Sequence, residues 1–513
     1  MCGRRYRLSN IRLWFPAFAL CAGHWSVELS KHMLGFVSDY RNLIGGELVP
    51  AARTMDTVNP ATGEAWARIP ASGAAEAEAA VEAARRAFPA WAALPAAARA
   101  HFLRKVSELF VRHTDELARL ETRDNGRILR DTLRRDLPGM AYLWQLAAGQ
   151  CLDAVKGDTV VLGPDTLGLT RREPYGVAVC IIPWNSPIST FSAKAAYALA
   201  AGNTVIVKPA EQAAASVLRL GELLAEVLPP GVLNIVSGLG EEVGDALVRH
   251  RGVGKISLTG STATGQAITR ASADALKPMT FELGGKSPNI VFPDADLDAA
   301  TRGVTVNSVY TGNAGQVCVA GSRILVHRSI WDEMLGRIER ACADLVLGDP
   351  LDLGTTMGPI VSAGQYERVT SYLELAEKEG ARLVFGGRTG ADVVPALPGG
   401  YWVAPTLYAS EDNALRVCQE EIFGPVAVAL PFSTEEEALA IANDSPYGLA
   451  AGLWTRDLGR AHRFVRDLHS GTVWVNTFRQ MPPGLPFGGV KDSGYGHDSV
   501  LEYTREKAAI IQI

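Results

Sequence analysis

One cysteine, Cys318, lies in the stretch Gly312-Asn313-Ala314-Gly315-Gln316-Val317-Cys318-Val319-Ala320-Gly321-Ser322-Arg323. Small residues on both sides let the backbone come close to a ligand. A thiolate there is a strong nucleophile, and such a turn can present both the sulfur and the cysteine's own N–H to a carbonyl group. Most free cysteines are simply small buried hydrophobes, so the catalytic reading depends on partners elsewhere in the chain.

Several other stretches supply them. Pro183-Trp184-Asn185 ends an apolar run, where an asparagine amide can donate to an oxyanion at a sheet edge. A lone Asn there is equally an ordinary turn residue. Lys208-Pro209-Ala210-Glu211 ends the next apolar run and offers a donor and an acceptor suited to ribose hydroxyls; otherwise it is a solvated charged loop. Thr259-Gly260-Ser261-Thr262-Ala263-Thr264-Gly265 joins a strand to a helix, and its N–H groups can hold a pyrophosphate, although its spacing is not GxGxxG. Phe281-Glu282-Leu283-Gly284-Gly285-Lys286 sets a carboxylate among apolar and glycine residues. Burial there raises its pKa towards that of a general base, whereas most Glu residues are exposed. Glu420-Glu421-Ile422-Phe423-Gly424-Pro425 adds a further carboxylate and an aromatic ring.

These stretches need elements to hold them. Residues 36–70 read as short strands and turns. Residues 74–93 are helical in pattern, 101–124 form one amphipathic helix with Phe102, Val106, Leu109, Phe110 and Leu117 on one side, and 137–151 form another. Residues 158–174 read as a hairpin with a Gly163-Pro164-Asp165 turn, a marginal ribbon that needs another sheet or subunit to lean on. From Val177 strands and helices alternate: strands at 177–182, 204–207, 233–236 and 255–258, helices at 192–201, 213–227, 241–250 and 263–273. That pattern predicts a doubly wound sheet with its ligand at the carboxyl ends of the strands. A second α/β set follows from residue 289, and 508–513 form a closing apolar strand.

Composition bounds the rest. At 513 residues two or three domains are expected, and 47% hydrophobic with 20% charged residues is ordinary for a globular protein. A net charge of −5 without a basic stripe gives no reason to expect nucleic acid. The cysteines, 7 in all, are scattered with no CxxC or His/Cys cluster, so neither disulfides nor a metal site is expected, and a reducing, cytoplasmic setting fits. Arg4, Arg5, Arg7 and Arg12 precede an apolar run at 13–23, which looks like a signal or transit peptide but is too short to cross a bilayer as a helix. The alternative is an early start assignment with Met33 the true start. No other stretch reaches transmembrane length, so no membrane association is expected.

Taken in order, PWN, KPAE, TGSTATG, FELGGKSP, GNAGQVCVAGSR, EEIFGPV, NDSPYGL, GTVWVN and PFGGVKDSGYG make the chain resemble the NAD(P)-dependent aldehyde dehydrogenase superfamily from about residue 36 to 513. The resemblance implies an α/β, aldehyde dehydrogenase-like fold. A Rossmann-type coenzyme domain would take 33–157 and 178–284, and an α/β catalytic domain 285–477. A β-hairpin oligomerisation arm would be built from 158–177 and 478–513, after an extension at 1–32. It implies oxidation of an aldehyde to a carboxylic acid in a homodimer or homotetramer. Cys318 would be the nucleophile that forms a thiohemiacetal and then a thioester. Asn185 and the Cys318 N–H would form the oxyanion hole, and Glu282 would activate the hydrolytic water. Lys194 matches a lysine near the family's active site. Lys208 and Glu211 would hold the adenine ribose, Glu421 the nicotinamide ribose, and Phe423 would pack by the nicotinamide. Gly260 and Ser261 match the coenzyme loop, and Ile181, Pro183, Trp184, Gly240, Gly244 and Leu283 would line the same coenzyme site.

The resemblance leaves the substrate open. Ser186, Thr190 and Ala193 stand where many members carry larger residues, which suggests a wider or more polar entrance. Arg479 lies where the family's substrate tunnel is lined. It can pair with an acidic substrate, or, as is commoner for an arginine, with the protein's own carboxylates or solvent. Glu211 favours NAD, since a carboxylate accepts from a free ribose hydroxyl and repels a phosphate, with NADP tolerated. A CoA-acylating relative and a non-catalytic binding protein are the alternatives. Glu282 argues against the first, and the complete set of Cys318, Asn185, Glu282 and Glu421 against the second.

Overall fold

Strand Val177–Ile182 is apolar along its length and almost wholly buried, as a strand covered on both faces of a parallel sheet must be. In the computed structural model, which describes residues 38–482 and 484–513, it lies inside an eight-stranded sheet. The sheet's parallel centre runs Met279–Glu282, Lys255–Thr259, Val177–Ile182, Thr204–Pro209, Leu233–Ile235. Gly494–Tyr495 pairs antiparallel with Met279–Glu282 at one edge, while Asn42–Ile44 and Glu47–Val49 extend the other. Helices Pro187–Ala200, Ala215–Leu224 and Thr262–Ser272 connect successive strands and bury their apolar sides.

A seven-stranded sheet follows, in the order Arg382–Phe385, Thr406–Ala409, Val426–Phe432, Arg323–His327, Pro288–Val291, Ala450–Trp454, Thr472–Val475. All its neighbours are parallel except the first pair. The expected hairpin is present as Thr159–Gly163 and Thr166–Pro174, turning at Pro164 and Asp165. Strand Thr504–Gln512 pairs antiparallel with Thr166–Pro174 along its whole length. Val160, Val161, Leu162, Ile510 and Ile511 on this ribbon are exposed.

Three expectations change. Residues 101–124 are two helices, Ala96–Arg112 and Thr114–Asn125, broken at His113, whose φ of −107° and ψ of 17° leave the helical range. The Thr114 hydroxyl donates to Phe110 O at 2.7 Å, and Asp115 and Glu116 favour a new N-terminus there. Val106, Leu109, Phe110 and Leu117 are all buried, so the apolar period runs through the break and hides it. The helix expected at 192–201 begins at Pro187, since proline is favoured in a first helical turn. The last strand begins at Thr504, four residues before its apolar part, because backbone pairing needs no apolar side chain.

The expectation for residues 1–32 lies outside the described residues. No described helix is long and apolar enough to cross a membrane.

Candidate active site

The strand register brings the candidate residues into line. Across the parallel centre, Lys208 pairs with Ile181, Ile181 with Leu258, and Thr259 with Glu282. These are the carboxyl ends of four parallel strands, so Pro183, Trp184, Asn185, Glu211, Gly260, Ser261 and Leu283 all follow along one edge. Lys208 Nζ donates to Glu211 Oε2 at 3.0 Å. Ser261 accepts from Thr264 N at 3.1 Å and so caps helix Thr262–Ser272, leaving the first amides of that helix facing the edge. Gly240 and Gly244 bracket a π-helical turn ahead of helix Asp245–Arg249. The Trp184 and Phe423 rings meet edge to face at 5.2 Å.

The cysteine loop leads into strand Arg323–His327 of the second sheet and is fastened to the first. Asn185 Nδ2 donates to Gln316 O at 2.8 Å, and Asn313 Nδ2 donates back to Asn185 O at 2.9 Å. Gln316 donates to Asn313 O and Pro359 O and accepts from Val361 N. Ala314 and Gly315 both have positive φ, 48° and 69°, and a Cβ on Gly315 would overlap Gly424 O, so the turn needs glycine there. The result is a rigid loop with Cys318 at its open end, half-buried beside Gly285. One Asn185 N–H is spent on the loop, and an amide has two.

Glu282 is buried, and its Oε1 has no hydrogen bond among the described residues. Burial pushes its carboxyl well above the usual range. Asp498 pushes it further, and Lys194 pulls the other way. Lys194, fully buried on helix Pro187–Ala200, donates to Ser257 Oγ at 3.0 Å and to Asp498 Oδ1 at 3.2 Å. Burial works to lower its pKa, but Asp498 and Glu282 outweigh burial and the ammonium is held above its ordinary value. The Cys318 thiol is pushed up to about 12, by burial first and then by Glu282 and Glu421. Glu421 accepts from Gly285 N at 3.0 Å and is raised to about 7 by burial. A Cβ on Gly284 would run into the Glu421 carboxylate, so the GlyGly pair makes room for it. Burial thus favours the thiol form of Cys318 and strengthens the hold of the Glu282 carboxylate on a proton.

All the catalytic candidates, Cys318, Asn185, Glu282 and Lys194, belong to this one region. Sequence reading missed Asp498. It is carried there because Gly494–Tyr495 pairs with Phe281 and Glu282, and Gly494 has a φ of 117°. The signal available in sequence was the glycine-rich turn Gly494-Tyr495-Gly496 with an acid two residues on.

A cysteine loop docked on the carboxyl edge of a parallel α/β sheet, with a buried carboxylate in the same region, suits covalent chemistry beside a bound ligand. The chain belongs to the aldehyde dehydrogenase family, whose model matches residues 48–510, and it is an oxidoreductase that acts on aldehydes. It is 44% identical to the betaine aldehyde dehydrogenase of Cereibacter sphaeroides over 459 residues, 88% of this chain and 93% of that one. It is 41% identical to acetaldehyde dehydrogenase 2 of Cupriavidus necator over 472 residues, 90% and 92% of the two chains. Among solved structures it resembles an aldehyde dehydrogenase of Bacillus cereus determined as an NAD+ complex. That match has 40% identity and a TM-score of 0.90, and covers 95% of this chain and 99% of that one.

Proposed function

We propose that the chain oxidises an aldehyde to the carboxylic acid with NAD as hydride acceptor, through covalent attachment at Cys318. The carrying observation is that Asn185 and the cysteine loop are bonded together at 2.8 Å while the nearby Glu282 keeps a carboxylate oxygen unpaired among the described residues. The residues present fit a dinucleotide. The Lys208–Glu211 pair suits a ribose, the capped N-terminus of helix Thr262–Ser272 suits a pyrophosphate, and the buried Thr259 hydroxyl beside it lacks a partner among the described residues. Ile181, Pro183, Trp184, Gly240, Gly244, Gly260 and Leu283 would line that edge, with Glu421 and Phe423 nearest the reacting end. Glu211 would accept from a free ribose hydroxyl and repel a phosphate there, which favours NAD over NADP.

When bound, the coenzyme supplies the hydride acceptor. The chain's residues do the rest. The Cys318 thiol gives its proton to solvent and the sulfur adds to the aldehyde carbon. The new oxyanion is held by the second Asn185 N–H and the Cys318 N–H. Loss of hydride from that carbon leaves a thioester on Cys318. Glu282 then takes a proton from water, whose oxygen attacks the thioester carbonyl and expels the Cys318 thiolate with the acid as product. Lys194 and Asp498 set the charge around Glu282 and so its readiness to accept protons.

The domains we assign are 33–157 and 178–284 for coenzyme and 285–477 for catalysis, with 158–177 and part of 478–513 as the arm. Within the last range, strand Thr504–Gln512 is the arm's share, since Gly494–Tyr495 pairs into the first sheet. The exposed apolar residues of the ribbon favour a homodimer or homotetramer. The five described cysteines are all free, which suits a reducing, cytoplasmic setting. The test is NADH formation across aliphatic, aromatic and acidic aldehydes, with Cys318→Ala as control. NADH that persists in the control would remove Cys318 as nucleophile.

A further inference from the structure

The side chain of Gln316 is fully buried in the cysteine loop, just ahead of Cys318, and its amide is bonded at both ends. Nε2 donates to Asn313 O at 3.0 Å and to Pro359 O at 3.1 Å, and Oε1 accepts from Val361 N at 2.9 Å. It pairs with residues 359–361 much as a peptide group pairs with a neighbouring strand. Gly358 N donates to Gly312 O at 3.1 Å, so the same segment also holds the start of the loop. The bonds that tie the loop to Asn185 use a different part of Gln316. Asn185 Nδ2 and Asn313 Nδ2 both donate to its main-chain oxygen, at 2.8 Å and 3.0 Å. A substitution at 316 therefore removes the bonds to 359–361 and keeps the acceptor for Asn185.

Residues 359–361 lead to the other loop of the site. Ser362 caps helix Ala363–Lys378, accepting from Gln365 N at 3.3 Å. From the start of that helix, Gln365 Nε2 donates to Ile422 O at 3.2 Å and to Phe423 O at 2.9 Å, and Arg368 Nη2 donates to Glu421 O at 2.6 Å. Phe423 has a φ of 60°, unfavourable for a residue with a Cβ and kept only where surrounding contacts impose it. The bond from Gln365 to its carbonyl is one such contact. The Phe423 ring meets Trp184, which adjoins Asn185.

The contacts thus close a ring. It runs from Gln316 through 359–361, the helix and Phe423 to Trp184 and Asn185, and from Asn185 back to Gln316. The two loops also touch directly, since a Cβ on Gly315 would overlap Gly424 O. A cavity of about 10 Å³ lies between them, no more than the space of one water, so a shift of one loop is felt by the other.

We propose that Gln316 is a positioning residue for hydride transfer. Its side-chain amide fixes the cysteine loop against the loop of Glu421 and Phe423, which we assign to the reacting end of the coenzyme. It so sets the distance from the carbon on Cys318 to the hydride acceptor, and hydride transfer is sensitive to that distance. Addition of the sulfur, the oxyanion donors and release of the acid depend on contacts that this side chain does not make. The inference rests on the aldehyde-oxidising reading above and adds a residue that acts on one step of it.

The experiment compares two reactions of the same thiol. Oxidation of propanal at saturating NAD needs hydride transfer. Hydrolysis of 4-nitrophenyl acetate without NAD does not: the sulfur attacks the ester carbonyl and expels nitrophenolate, and water then releases acetate and restores the thiol. Gln316→Met keeps the length of the side chain and loses its hydrogen bonds. The ratio of oxidation to ester hydrolysis should fall about 10- to 100-fold. Propanal with deuterium on the aldehyde carbon should also show a larger isotope effect on the first turnover than in the unaltered enzyme. A smaller folded fraction would lower both reactions together and leave the isotope effect where it was. Gln365→Met cuts the same path at its far end and should change the ratio in the same direction, and the double variant should lose little more than either single one. An unmoved ratio, equal losses in both reactions, or losses that multiply in the double variant would overturn the proposal and leave aldehyde oxidation standing. An unaltered enzyme that hydrolyses the ester and oxidises no aldehyde would overturn the aldehyde reading itself.

Discussion

Lys194 Nζ lies 3.2 Å from Asp498 Oδ1, and this pair brackets Glu282 with one charge of each sign. Asp498 holds the Glu282 carboxyl up and Lys194 pulls it down. Asp498→Asn should therefore let Glu282 ionise at lower pH and move the acid limb of the kcat profile down. Lys194→Met should move it up. Shifts in one direction for both variants, or none, would show that the pair does not govern the base.

Cys318→Ala should reduce oxidation by about 10⁴-fold or more, as removal of a nucleophile does. NAD binding, followed by fluorescence quenching, should stay within a few-fold of the unaltered protein.

Glu282→Gln should spare acylation more than deacylation. A rapid NADH burst matching the enzyme concentration should precede a steady rate lowered by about 10²–10⁴-fold. A slow trace without a burst would assign water activation to another group. The same change removes a charge that raises the Cys318 pKa, so the pH at which iodoacetamide alkylates that thiol should fall.

Asn185→Ala removes an oxyanion donor and one tether of the cysteine loop, and should lower kcat by about 10²–10³-fold. Product formation at the unaltered rate would leave the oxyanion to the backbone N–H alone.

Glu121 is a test of stability. It is buried on helix Thr114–Asn125, and burial pushes its pKa up to about 8 against weaker opposing pulls from Arg127 and the Ile188 backbone. In the unfolded chain it titrates near 4.3, at about the ordinary value for Glu. Its contribution is therefore complete below that pH and is lost as pH rises towards about 8. Glu121→Gln should match the unaltered protein near pH 4–5 and exceed it at pH 8, by roughly 1–3 kcal/mol. Urea unfolding at the two pH values checks this, and an equal difference at both would refute it.

Much of this was legible in the chain. Alternating apolar strands and helices from Val177 onward give the first sheet, because a strand buried on both faces must be apolar throughout. The hairpin at 159–174 was legible from its Pro-Asp turn. What stayed hidden depends on contacts between distant segments. His113 breaks a helix whose apolar period continues across it. Asp498 reaches Glu282 only through a two-residue antiparallel pairing that no periodicity announces.

The pairing of Thr504–Gln512 with Thr166–Pro174 joins segments more than 300 residues apart, as in the bond from Thr166 to Gln512 at a separation of 346. Synthesis proceeds from the N-terminus, so the hairpin waits on the ribosome with one edge open until almost all of the chain has emerged. Asp498 and the strand that delivers it arrive in the same late interval. The nascent chain thus gains Asp498 beside Glu282 and its third ribbon strand together.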